Sequence, residues 1–73
     1  MEQEYTFAQK IRVLLSPLYR ITLKPNGQTN IEVVFWARCF STEVLRTADD
    51  LTKKQQQADP QEFGWSVFDI RRV

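Results

Sequence analysis

Histidine is missing from this chain, and cysteine occurs once, at Cys39. A single Cys cannot close an internal disulfide, and a structural zinc site takes about four Cys or His ligands where this chain offers one. Without imidazole there is no conventional catalytic triad, no commonest metal ligand and no switch near neutral pH. The sequence therefore predicts a protein that is not an enzyme and that carries no metal and no cofactor. Long apolar runs are also missing: the longest, Val33 to Trp36, is far below the roughly 20 residues that cross a bilayer. The first residues, Met1-Glu2-Gln3-Glu4, are acidic where a signal peptide is basic. A cytoplasmic protein with no membrane contact is expected, and a lone thiol fits a reducing compartment. Charge of one sign is scarce as well. Ten Lys and Arg against nine Asp and Glu leave a net charge of +1, too little for the broad field that drives non-specific nucleic-acid binding.

What remains is 73 residues, 42% of them hydrophobic, which is one small domain over residues 1–73. A chain of this size buries only ~60% of the surface its unfolded form exposes, so a partner that adds buried area has much to contribute.

Apolar residues recur at helical spacing from Phe7 through Ile11, Leu14, Leu15 and Leu18, with Thr6 and Gln9 as a capping box. They predict a helix over 7–15, stopped by the bias that Pro17 places on Ser16. The competing reading is a strand over 11–15, where Ile11, Val13 and Leu15 alternate.

From Leu18 to Lys24 the period becomes two, with Tyr19, Ile21 and Leu23 on one face and Arg20, Thr22 and Lys24 on the other. This is a strand. Lys24-Pro25-Asn26-Gly27 reads as a type I turn with a G1 bulge, closing a three-residue hairpin loop onto a return strand over 31–40. That loop sets Ile21 opposite Ile31, Tyr19 opposite Val33 and Arg20 opposite Glu32. A two-residue Asn-Gly loop would instead face apolar rows against polar ones.

A second helix is predicted over 42–57, capped by Ser41 or Thr42, with Glu43 in its first turn and Lys53 and Lys54 in its last. Val44, Leu45, Ala48 and Leu51 form its apolar stripe. Pro60 ends it, and the last strand runs from Trp65 to Val73. Trp65, Val67 and Asp69 lie on one side of that strand, Phe68 and Ile70 on the other.

These elements assemble as α+β: a short N-terminal helix followed by ββαβ, with a three-stranded, mainly antiparallel sheet of order 2-1-3 packed on helix 42–57. Both faces of this sheet carry apolar residues, and one helix covers one face. The second face, with Leu18, Val34 and Trp36, is met either by the N-terminal helix or by a partner.

Other candidate sites resolve into ordinary structure. Asp49 and Asp50 point about 100° apart on a helix and read as solvated surface. Cys39 beside Arg38 reads as a small buried side chain, since it lacks a base. Gly27 and Gly64 lack the spacing of a phosphate-cradling loop. Trp36 and Trp65 are each read equally well as core aromatics.

Exposed Trp and Arg are common interface anchors, and two of the three strands offer open edges. Val34, Trp36 and Arg38 on the second face, with Arg71 and Arg72 at its rim, are the candidate partner-binding residues. Aromatic and basic residues on an open sheet also suit single-stranded nucleic acid, though no RNP-like aromatic run or Gly-x-x-Gly loop accompanies them. The sequence is open to a monomer or to a weak homodimer formed through strand edges or the second face.

The stretch from Phe35-Trp36-Ala37-Arg38 to Gly64-Trp65-Ser66-Val67-Phe68-Asp69-Ile70-Arg71-Arg72-Val73 resembles, in size, pattern and composition, the small early proteins of lytic phages that bind bacterial RNA polymerase. The resemblance carries no specific motif, so no functional residue transfers from it. It implies a transcription regulator acting in a bacterial host cell, with RNA polymerase as the larger host protein it binds.

Overall fold

The computed structural model describes residues 15–73. Strand β1 spans Leu18–Pro25 and β2 Val33–Arg38; helix α1 spans Val44–Ala58; β3 spans Trp65–Arg72. The sheet order is β2-β1-β3, and β1 is antiparallel to both neighbours. Helix α1 is the crossover that returns the chain to the far side of β1. The expected α+β sheet and its order are therefore found. All but the last residue of the N-terminal helix expected over 7–15 lies outside the described residues.

One face of the sheet makes the core. Tyr19, Ile21 and Leu23 on β1 are buried with Trp65, Cys39 and Ala48, and Val33, Phe35, Ala37, Val44, Leu51 and Ile70 pack around them. Period-two alternation delivers the β1 row to one side. On α1 the stripe facing the core is Val44, Ala48 and Leu51, with Ala48 buried and the other two half-buried, the spacing of one helical face. Leu45, expected on that stripe, is 75% exposed, because it sits one position, about 100°, round the helix from Val44.

The helix starts later than the expected residue 42. Residues 41–43 form a turn, Glu43 N–H donates to Phe40 O at 2.8 Å, and Glu43 is the N-cap without a side-chain cap bond. Neither Ser41 nor Thr42 caps it, and Glu43 stands outside the first turn. At the other end the helix runs to Ala58, so Lys53 and Lys54 fall short of the last turn, which contains no basic residue.

The hairpin differs from expectation in an instructive way. Ile21 faces Phe35 rather than Ile31, Tyr19 faces Ala37, and Arg20 faces Trp36. The displacement is an even number of positions, so every side chain keeps its predicted face while its partner changes. Its cause lies across the sheet. Gln28 N–H donates to Pro25 O at 3.2 Å, and Gly27 has φ +83°. This is a turn over Pro25–Gln28 with Gly27 in the left-handed third position, as in type II. Asn26 ties that turn to the start of β3: its backbone N–H donates to Gly64 O at 2.9 Å, its Nδ2 to Phe63 O at 2.7 Å, and Ser66 Oγ donates to its Oδ1 at 2.7 Å. The turn residues thus anchor β1 to β3 instead of closing β1 onto β2. Residues 28–32 span the remaining gap, and the return strand shortens to Val33–Arg38.

Strand β3 departs from simple alternation too. Ile21 pairs with Ile70 and Thr22 with Asp69, but Leu23 pairs with Val67, leaving Phe68 as the extra residue of a bulge. Without the bulge Asp69 would lie over the core beside Val67. With it, Ile70 packs on the core and Asp69 turns to the other face, which avoids burying a carboxylate among apolar side chains.

Candidate functional site

The face of the sheet turned away from α1 is built from alternate residues of each strand. Strand β1 contributes Leu18, Arg20, Thr22 and Lys24, β2 contributes Val34, Trp36 and Arg38, and β3 contributes Ser66, Asp69 and Arg71 by register. Phe68 joins them through its contact with Lys24, whose Nζ stands 3.7 Å from the ring centroid. Trp36 is 59% exposed, Phe68 62% and Val34 40%. Apolar surface of this kind, rimmed by charge, marks interaction sites in soluble domains.

The register sets Arg20 between Trp36 on one side and Arg71 on the other, in a single row across the three strands. The next row holds Val34, Thr22 and Asp69. Arg71 Nε lies 2.8 Å from Asp69 Oδ2, both on β3. At the end of the face Arg38 Nη1 donates to Ser16 O at 3.3 Å, which holds the guanidinium beside the start of β1. Arg20 is different: its Nε is buried and has no hydrogen-bond partner. A buried N–H left unpaired costs ~1–3 kcal/mol.

Of the residues picked from the sequence, Val34, Trp36, Arg38 and Arg71 come together on this face. Arg72 does not join them: it pairs with Tyr19 and takes the helix side of the sheet. Arg20, Lys24 and Phe68 were not picked. For Arg20 and Lys24 the signal was present, since both alternate with the core row of β1; for Phe68 it was not, because its placement follows from the bulge.

The remaining candidates are structural. Trp65 is buried, and its Nε1 donates to Asp59 O at 2.8 Å. Cys39 is free and buried. Asp49 and Asp50 are exposed on α1, with Asp49 Oδ2 3.0 Å from Lys53 Nζ. No helix among the described residues is long and apolar enough to cross a membrane.

Comparison of the chain with protein-family models, curated proteins and solved structures gives no match.

Proposed function

We propose that this protein is a non-enzymatic binding module that docks a larger protein on the open face of its sheet, with Trp36 as the central anchor. The exposure of Trp36 and Val34 on a face that α1 leaves uncovered carries this reading. A large aromatic held by a rigid strand and surrounded by cations has the composition of an interface hot spot. Arg38 and Arg71 border it, and Arg72 lies outside it.

The partner implied by the sequence resemblance is bacterial RNA polymerase, which would make the protein a regulator of transcription in the cytoplasm of a bacterial cell. The alternative is single-stranded nucleic acid, favoured by the cations beside Trp36. Against it, Phe68 is already capped by Lys24, which leaves Trp36, among the described residues of this face, as the one free stacking platform where such sheets stack two or three bases.

The test is retention of purified bacterial RNA polymerase on the immobilised chain, compared with Trp36→Ala. Retention by the wild type and its loss in the variant are expected. Equal retention by both would exclude this face, and no retention by either would exclude the polymerase.

A further inference from the structure

We infer that the open face receives a carboxylate, presented by an acidic segment of the protein partner, between Arg20 and Arg71 beside Trp36. The inference rests on the docking function proposed above and specifies the chemistry of what docks. Three observations converge on it. Arg20 Nε is buried and no described residue accepts its hydrogen bond, so its hydrogen bond is unmet in the isolated domain and meets an incoming acceptor once the guanidinium turns outward. Arg20 and Arg71 are direct cross-strand partners, and like charges placed opposite each other on a sheet destabilise it. Among the described residues the face carries four cations, Arg20, Lys24, Arg38 and Arg71, against the single carboxylate of Asp69, which Arg71 already engages.

An anion set between Arg20 and Arg71 would relieve all three conditions at once. Guanidinium groups bind carboxylates through paired, charge-assisted hydrogen bonds, and the neighbouring Val34 and Trp36 suit the apolar side chains that flank an acidic residue in a peptide. A phosphate backbone is the poorer fit. The chain's net charge of +1 supplies little long-range attraction for a polyanion, and the middle strand places Arg20, Thr22 and Lys24, with no aromatic ring, under the path of the bases.

Arg20 is then a residue retained at a cost to stability, and this separates a binding role from a structural one. Replacement by Met keeps the aliphatic stem and removes both the orphan donor and the like-charge pair. Arg20→Met should raise the melting temperature while weakening binding. A structural Arg would do the reverse.

The binding experiment uses the full chain and follows Trp36 emission, with Trp65 buried as an internal reference. Three probes are titrated: a short peptide alternating Glu and Leu, its Gln-Leu counterpart, and an oligothymidine. The Glu-Leu peptide should shift the emission, the Gln-Leu peptide should not, and Arg20→Met and Arg71→Ala should each weaken the response by about tenfold or more, as truncating one partner of a buried charge pair does. Equal response to both peptides would overturn the carboxylate and leave docking intact. Tighter binding of the oligothymidine would overturn both. Absence of any response, with sedimentation showing a dimer, would assign the face to a second copy of the chain and overturn both. A fall in the melting temperature of Arg20→Met would overturn the reading of Arg20.

Discussion

The two faces of this sheet are made by the same three strands and obey opposite rules. On the helix side Ile21 and Leu23 are fully buried and Tyr19 and Trp65 nearly so. On the other side Thr22 is buried in the middle strand, Trp36 and Phe68 are more than half exposed, and a guanidinium nitrogen is buried without a partner among the described residues. One side satisfies the requirements of folding, and the other violates two of them together. Local departures from the rules of stable packing gather where a protein binds, and here Trp36 and Arg20 share one row of the register, with Phe68 at the bulge outside it.

Substitutions on the two faces should differ in size, and the largest effect belongs to the covered face. Ile21→Ala should cost about 2–5 kcal/mol, a large fraction of what a domain this small possesses; urea denaturation followed by circular dichroism would read it. A loss under about 1 kcal/mol would mean that Ile21 is not central to the core.

Next in size is the clamp between the two ends of the sheet. Asn26→Ala removes the bonds to Phe63 O and Ser66 Oγ, each worth ~1 kcal/mol, so a loss of roughly 1–2 kcal/mol is expected. Slower hydrogen exchange at the amide of residue 26, or no change there, would show that the turn is not pinned to β3 through this side chain.

Smaller still is the effect on the open face. Trp36→Ala should move the unfolding free energy by no more than about 0.5 kcal/mol, the range for exposed positions, while it abolishes partner binding. A change as large as that of Ile21→Ala would make Trp36 part of the core.

The smallest effect is expected at Lys53, whose pKa is raised from 10.5 by its hydrogen bond and attraction to Asp49 across one helical turn. A raised pKa means that any contribution from this pair is complete below the unfolded value and disappears as pH rises through the folded one, above 10.5. At neutral pH Lys53→Ala should therefore leave the melting temperature nearly unchanged, since so exposed a pair is screened by water and salt. A clear drop would show that the pair matters more than its exposure implies.

Much of this architecture is written in the chain as alternation. Tyr19, Ile21 and Leu23 against Arg20, Thr22 and Lys24 specify β1 and both of its faces, and a right-handed crossover helix permits the order β2-β1-β3 that is found. The turn residues were legible as a turn but not as belonging to β3, because Asn26 finds its partners at Phe63, Gly64 and Ser66, far along the chain. Register built on the turn alone therefore slipped, while the faces survived because the slip was even. Phe68, Asp69 and Ile70 were misassigned for a related reason: the bulge that swaps Ile70 for Asp69 over the core is a tertiary solution with no local signature. Trp36 and Arg38 were recognisable on the second face from period two alone. Arg20 was visible there too, but its lack of an acceptor appears only once Trp36 and Arg71 flank it.

Trp36 stands open to solvent while Trp65 is sealed in the core. Acrylamide quenching of the wild-type chain measures this directly. Two populations of indole are expected, one quenched freely and one shielded, with the quenchable component lost in Trp36→Phe. Two shielded indoles in the isolated protein would contradict it.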